Sequence, residues 1–249
     1  MSGLYAARKR RRSSDSRVEV REGRNGRALR VDGTFASWYV PGRAHTGSVW
    51  DALAAPLCWL PPTRRRAVLV LGLGAGSAAR LVRALAPRAR IVGVERSAEV
   101  LRAARRHFDL DALGVEIVHA DAREYLAESR AHFDIVIEDL FVGTARTVRK
   151  PDWVLASGLA AAARRLSRGG ILVANSIDEA PAVARALSGF PARVELRIEG
   201  WDNRVVVGGP AGLDARGLRD AVSASPVLAS SLRRLSFRSA RAALARPDA

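Results

Sequence analysis

Val68-Leu69-Val70-Leu71-Gly72-Leu73-Gly74-Ala75-Gly76-Ser77 is the stretch that decides the fold. Its apolar start, Ala67–Leu71, has the length of a fully buried strand, bounded at once by glycine. Ser77–Leu85 then has a helical pattern, with Pro87 beyond it to stop the helix. Glycines at such a turn permit positive φ and let the backbone approach a ligand with no Cβ between. The helix start behind them offers unpaired N–H groups. The same turn would also serve as a strand–helix connection with no ligand. The spacing fits G-x-G-x-x-G only loosely, because Ser77 stands at the third glycine position.

Outward from this turn, strand and helix alternate. Ile91–Val94 reads as a second strand ending in Glu95, Ala98–Phe108 as an amphipathic helix, and Val115–His119 as a third strand ending in Asp121. Phe133–Glu138 is a fourth strand ending in Asp139, and Asp152–Leu166 is a helix closed by Gly169-Gly170. Ile171–Ala174 is the fifth strand, and Val194–Ile198 and Arg204–Val207 are two more, with helices expected over the rest. This order predicts an α/β domain, a doubly wound and mainly parallel sheet covered on both faces.

Before it, Val18–Tyr39 alternates apolar and polar residues around two turn signals, Asn25-Gly26 and Asp32-Gly33, as a small β appendage would. Gly47–Leu60 predicts a helix ended by Pro61-Pro62. The expected organisation is a basic, disordered tail over 1–16, the appendage and helix over 17–62, and a Rossmann-like domain over 63–249.

Composition bounds the function. The single cysteine, Cys58, precludes an intrachain disulfide, and the four histidines lack metal-ligand spacing, so no metal is expected. No apolar run reaches the ~18 residues of a membrane span, so no membrane partner is expected. No apolar segment follows the basic Met1–Arg12 as in a secretory signal, and a cytoplasmic location is the expectation. The net charge of +16 sits mostly at the ends: residues 1–30 carry 10 basic and 3 acidic residues, and 204–249 carry 8 and 3. Solvated charge is the favoured reading, with Arg8–Arg12 as the candidate arm if nucleic acid is bound.

Three carboxylates stand at strand ends. Glu95 is placed to accept hydrogen bonds from both ribose hydroxyls of a nucleotide. Asp121 can accept one from an adenine amino group, and Asp139 follows the fourth strand. In an open sheet such ends converge on one crevice at the topological switch point. Three acids disfavour a pyrophosphate and suit a cationic, phosphate-free ligand such as an adenosyl sulfonium. The structural alternatives are an exposed charge at Glu95, a helix N-cap at Asp121 and a loop-capping carboxylate at Asp139.

Several ordered motifs resemble the spermidine synthase-like (polyamine aminopropyltransferase) family of the class I S-adenosylmethionine-dependent methyltransferase superfamily. They are Val94-Glu95-Arg96-Ser97-Ala98-Glu99-Val100-Leu101 continuing to Arg106-His107-Phe108, Asp121-Ala122-Arg123-Glu124-Tyr125-Leu126, Phe133 to Asp139, Arg168-Gly169-Gly170-Ile171-Leu172, Trp201-Asp202-Asn203-Arg204, and Leu29 to Gly33 in the appendage. The resemblance implies a class I methyltransferase-type sheet and a donor, S-adenosylmethionine or its decarboxylated form. Gly72, Gly74 and Gly76 would lie under the donor's amino or aminopropyl end, Glu95 on the ribose, and Asp121 with Ala122 at the adenine, with Arg96 also among the donor-binding residues. Asp139 would line the donor site near the reacting centre, as the catalytic residue. The family resembled often dimerises, and the appendage is where such an interface is expected.

The departures fall on the acceptor side. The family's D-x-x-D loop reads Asp139-Leu140-Phe141-Val142 here, Ala36 stands for its early Gln, and Val49-Trp50-Asp51 for its Tyr-His-Glu. Loss of general-base action costs ~10²–10⁴ in rate. Aminopropyl transfer would therefore need a replacement acid, Asp51 or Glu138. Phe141, Val142, Trp38, Tyr39 and Trp50 suggest a more apolar acceptor pocket, or else the core of the appendage. The sequence favours an alkyl transferase acting on an unidentified small-molecule acceptor, methyl ahead of aminopropyl. Behind these stands a nucleic-acid-binding module without catalysis, and a dinucleotide oxidoreductase is more remote.

Overall fold

The computed structural model describes residues 16–240. The tail read over 1–16, with Arg8–Arg12, lies outside the described residues save for Ser16. A three-stranded antiparallel sheet comes first: β1 (Val18–Gly23), β2 (Gly26–Val31) and β3 (Thr34–Tyr39). Gly26 and Gly33 make its turns at positive φ, with Asp32 also at φ 50°. Helices α1 (Val49–Ala54) and α2 (Pro56–Trp59) follow, broken at the Ala55–Pro56 junction where a single helix was expected. Both pack on the large domain, α1 against the helix Ser77–Leu85 and the strand Ala192–Ile198, and α2 against the helix Ala215–Ser223.

The large domain then runs β4 (Ala67–Leu71), α3 (Ser77–Leu85), β5 (Arg90–Glu95), α4 (Ala98–His107), β6 (Glu116–His119), α5 (Ala122–Glu128) and β7 (Phe133–Glu138). It continues with α6 (Leu159–Ala163), β8 (Leu166–Ser176), α7 (Ala180–Ala186), β9 (Ala192–Ile198), β10 (Arg204–Gly209), α8 (Ala215–Ser223) and β11 (Leu235–Ala240). The sheet order is β11-β9-β10-β8-β7-β4-β5-β6. β8 to β6 are parallel, whereas β10, β9 and β11 join antiparallel.

The apolar runs are explained by burial on both faces. In β4, Val68 and Val70 face one core with Ile135, Ile137, Ile171 and Val173. Leu69 and Leu71 face the other, with Val136, Leu172 and Ala174. Period-2 alternation between two apolar layers leaves no polar position to reveal it.

Two expectations are corrected. The helix expected over Asp152–Leu166 is shorter: a π turn over Val154–Gly158 precedes α6, and the chain is already extended at Leu166. Residues 235–240 form strand β11, in a region where helices were expected. Its Leu235-Ser236-Phe237-Arg238 alternates apolar and polar residues, as a strand with one covered face does.

Candidate active site

Chain order reverses between β4 and β7, whose carboxyl ends lie side by side. Asp139 donates its backbone N–H to Leu71 O at 2.9 Å. Gly72 sits there at φ +84°, and a Cβ on it would stand 2.5 Å from Asp139 O. Only glycine allows the two strand ends to meet this closely. Above this switch point opens a cavity of about 340 Å³. Gly72, Gly74, Glu95, Arg96, Asp121, Ala122 and Asp139 all line it. Gly76 does not. It is buried at the start of α3, where a Cβ would meet Leu110 Cδ1 at 2.8 Å, so its role is packing and a positive-φ turn.

The glycine turn is clamped from above by β3. Ala75 N donates to Ser37 Oγ at 2.8 Å, and Trp38 N to Ser77 Oγ at 2.9 Å. Ser77 Oγ in turn donates to Trp38 O at 2.9 Å. This explains the residue that breaks the glycine pattern: the Ser77 hydroxyl joins the appendage to the turn. Ser77 is 3% exposed, so its bonds are made away from water.

Glu95 holds the turn from the side. Its Oε2 accepts from Gly74 N at 3.0 Å and its Oε1 from Ser97 N at 2.9 Å. Each oxygen keeps a lone pair for a ligand hydroxyl. Burial pushes its carboxyl above the ordinary glutamate range, against the two N–H groups and Arg96, which favour the ionised form. Asp121 is an N-cap as well as a cavity residue: its Oδ1 accepts from Arg123 N at 2.7 Å at the start of α5.

Asp139 faces the cavity from β7. Its Oδ1 accepts from Asn175 Nδ2 at 2.7 Å, and its Oδ2 from Trp50 Nε1 at 3.2 Å. Asn175 is oriented in turn by Asn203 Nδ2, 3.0 Å from its Oδ1. Burial raises the Asp139 carboxyl above the usual aspartate range; the Asn175 amide, the Lys150 charge and the Trp50 indole pull the other way.

The two acids considered as replacements on the acceptor side are committed elsewhere. Asp51 is fully buried and accepts from Thr46 N and Oγ1, from Gly47 N and from Ser231 Oγ, all within 2.9 Å. Glu138 is 1% exposed and pairs with Lys150 Nζ, 2.8 Å from Oε1 and 2.7 Å from Oε2. Neither lines the cavity. Lys150 Nζ also lies 4.7 Å from the centroid of Phe141, and its backbone N–H bonds Glu179 Oε1 at 2.8 Å, so it anchors the end of the loop that follows β7.

That loop folds over the cavity through paired backbone bonds between Val142 and Arg149, and Ala145 N reaches Asp32 O at 3.3 Å. Phe141, Val142 and Trp50 line the cavity, whereas Trp38 and Tyr39 do not. Tyr39 is buried beside Phe108 and bonded to Asp109. Sequence reasoning missed three residues here: Asn175, Trp201 and Asn203. Their sequence signal is weak: Asn175 is at the end of a buried strand, and Trp201 and Asn203 lie in a Trp-Asp-Asn-Arg stretch that carries a family resemblance and no local pattern of its own.

Electrostatically the cavity suits a cation. Among the described residues its lining carries four acids, Asp32, Glu95, Asp121 and Asp139, against one cation, Arg96. Among the described residues no group of three or more His, Cys, Asp or Glu could hold a metal ion. No helix among them is long and apolar enough to cross a membrane.

An open α/β sheet with a glycine turn and acids at its switch point defines a Rossmann-like fold of the methyltransferase type. Comparison with known proteins agrees. Residues 68–170 match the family model of a methyltransferase domain. A 97-residue stretch is 32% identical to a probable polyamine aminopropyl transferase of Bifidobacterium longum; it covers 39% of this chain and 21% of that protein, so about a fifth of the relative's length is matched. A solved probable spermidine synthase from Corynebacterium glutamicum superposes with a TM-score of 0.70 at 20% identity, over 90% of this chain and 88% of the other. Human methyltransferase-like protein 13, in complex with SAH, does so with a TM-score of 0.60 at 24% identity, over 74% and 92%. The chain therefore has the Rossmann-like fold common to spermidine synthases and class I methyltransferases, with a small antiparallel sheet at its N-terminal side.

Proposed function

We propose that this chain is an alkyl transferase that binds an adenosyl sulfonium donor and delivers its alkyl group to a small molecule held beside Asp139. One observation carries the reading: Gly72, Gly74, Glu95, Asp121 and Asp139 line a single cavity at the switch point. Adenosine needs the ribose and adenine partners that Glu95 and Asp121 offer. The sulfonium gains from the surrounding acids. Such a donor is already activated, so positioning supplies much of the acceleration.

Methyl transfer is the favoured reaction, because Asp51 and Glu138 are held in structural bonds, and the remaining acid of the lining away from Glu95 and Asp121 is Asp32, in the β2–β3 turn with its Oδ1 on Arg17 N. Aminopropyl transfer has support of its own. Arg96, the only cation in the lining among the described residues, follows Glu95, and Asp139 would instead meet the donor's tail, an arrangement kinder to an ammonium than to a carboxylate. The resemblance to solved spermidine synthases points the same way.

Titration calorimetry with S-adenosylmethionine, the decarboxylated donor and their thioether products tests the proposal. Binding of one donor at micromolar concentration, lost in Glu95→Arg, is the expected result. No response to any of the four ligands would end it.

A further inference from the structure

Four parallel strand steps separate β6 from β8, about 19 Å at the usual spacing. The cavity therefore has two ends. Glu95 and Asp121 mark one, at β5 and β6. Asn175, Trp201 and Asn203 mark the other, at β8 and the approach to β10, with Asp139 between.

The far end is aromatic. The Phe35 ring stacks on Trp201 at 5.5 Å and 28°, and meets Trp50 at 5.3 Å and 54°. Phe35, Trp50 and Trp201 all line the cavity, as does Ile177. These rings come from three separate segments, yet they form one continuous wall. Asp139 is the carboxylate beside it, tied to the wall by the Trp50 indole. The other acid remote from the donor's adenosine end, Asp32, lies in the β2–β3 turn, where its Oδ1 accepts from Arg17 N at 2.9 Å.

We propose, on the donor reading given above, that this end takes a primary monoamine with an aromatic body, the amine at Asp139 and the ring against Phe35 and Trp201. Aromatic faces attract both flat apolar groups and cations. One buried carboxylate compensates one ammonium; a second ammonium carried into the aromatic wall would go unpaired, which is costly.

The step balances with the donor alone. The ammonium gives one proton to Asp139. Its freed lone pair attacks the donor carbon attached to sulfur. The C–N bond forms as the C–S bond breaks, with the bonding pair left on sulfur as a neutral thioether. The product leaves as an alkylated ammonium, and Asp139 returns its proton to solvent.

The test has two stages. Donor binding is first measured alone on the full chain. The bound donor is then offered phenethylamine or putrescine, and alkylated amine is followed by mass spectrometry. The expected result is a kcat/KM for phenethylamine at least about tenfold above that for putrescine, with KM for phenethylamine raised about tenfold in Trp201→Ala. Phe35→Leu, which keeps the apolar volume, should raise the same KM and serves if Trp201→Ala does not fold. Donor binding without phenethylamine turnover would overturn the acceptor assignment alone. So would putrescine turnover at equal or higher kcat/KM, above all if Asp32→Asn reduced it. Failure of every donor to bind would remove both readings together.

Discussion

The two ends of the cavity are built in different ways. The donor end is made by three neighbouring strand ends: the turn at Gly72–Ser77, Glu95 at the end of β5, and Asp121 at the start of α5, each one strand from the next. Its polar groups are satisfied by nearby backbone N–H groups. The acceptor end gathers Phe35, Trp50, Asp139, Asn175 and Trp201 from five distant segments, and its polar groups are satisfied by one another's side chains. Backbone geometry fixes the first. Side-chain packing fixes the second, and the fold by itself does not dictate what that packing will hold.

Asp139, where the two ends meet, should give the largest effect. Asp139→Asn should lower kcat by ~10²–10⁴, the usual worth of a general base, with donor affinity much less affected. Single-turnover kinetics beside calorimetry reads both. Equal losses in both would mean that Asp139 serves the donor end only.

Next comes the buried pair beneath the acceptor loop. Lys150→Met leaves Glu138 buried without its partner and should cost ~3–5 kcal/mol in urea unfolding. Lys150→Met with Glu138→Gln should recover much of that. If the double variant is no better than the single one, Lys150 acts through its packing on Phe141 and not through charge.

pH should separate the ends further. On the proposed donor reading the ionised Glu95 carboxylate would accept the ribose hydroxyls, and burial holds its carboxyl above the ordinary glutamate range in the free protein. Donor binding thus favours the deprotonated form. Affinity should hold at high pH and fall as pH drops through that raised value, with proton release on binding below it. Calorimetry in buffers of different ionisation enthalpy measures this, and Glu95→Gln should flatten the profile. In the empty protein the sign is opposite: a raised carboxyl favours the folded state at low pH, and that contribution is lost as pH rises through the folded value.

Two smaller effects test the backbone side. Ser77→Ala removes both bonds to Trp38 and leaves buried backbone groups unpaired, at ~1–3 kcal/mol. Asp121→Ala removes an N-cap at ~1 kcal/mol. Its loss of donor affinity, read by calorimetry, should exceed what that instability explains. If the two track each other, Asp121 is a cap and nothing more.

The same division decides what was legible in the sequence. The glycine turn, the five parallel strands and the three strand-end acids could be read because buried strands and turns leave local patterns. Gly76 was assigned to the ligand because periodicity cannot distinguish a glycine under a ligand from one under Leu110. Asn175 could not be singled out, since its importance comes from Asp139 across the strand pair. Asp51 and Glu138 looked like free acids because the chain does not announce that Ser231 and Lys150 will claim them. β11 is different: its alternation of apolar and polar residues over Leu235-Ser236-Phe237-Arg238 is a local pattern that the sequence does carry.

The Asp51 carboxylate accepts the Ser231 hydroxyl across 180 residues. In a chain made from its N-terminus, a contact of that span can form only after the residues of all five parallel strands have been made. The aromatic wall, which needs both Phe35 and Trp201, likewise waits for a segment beyond those strands. On a ribosome, therefore, the glycine turn and its acids emerge as a nascent half-site, and only the arrival of the C-terminal strands converts it into a chamber with two walls.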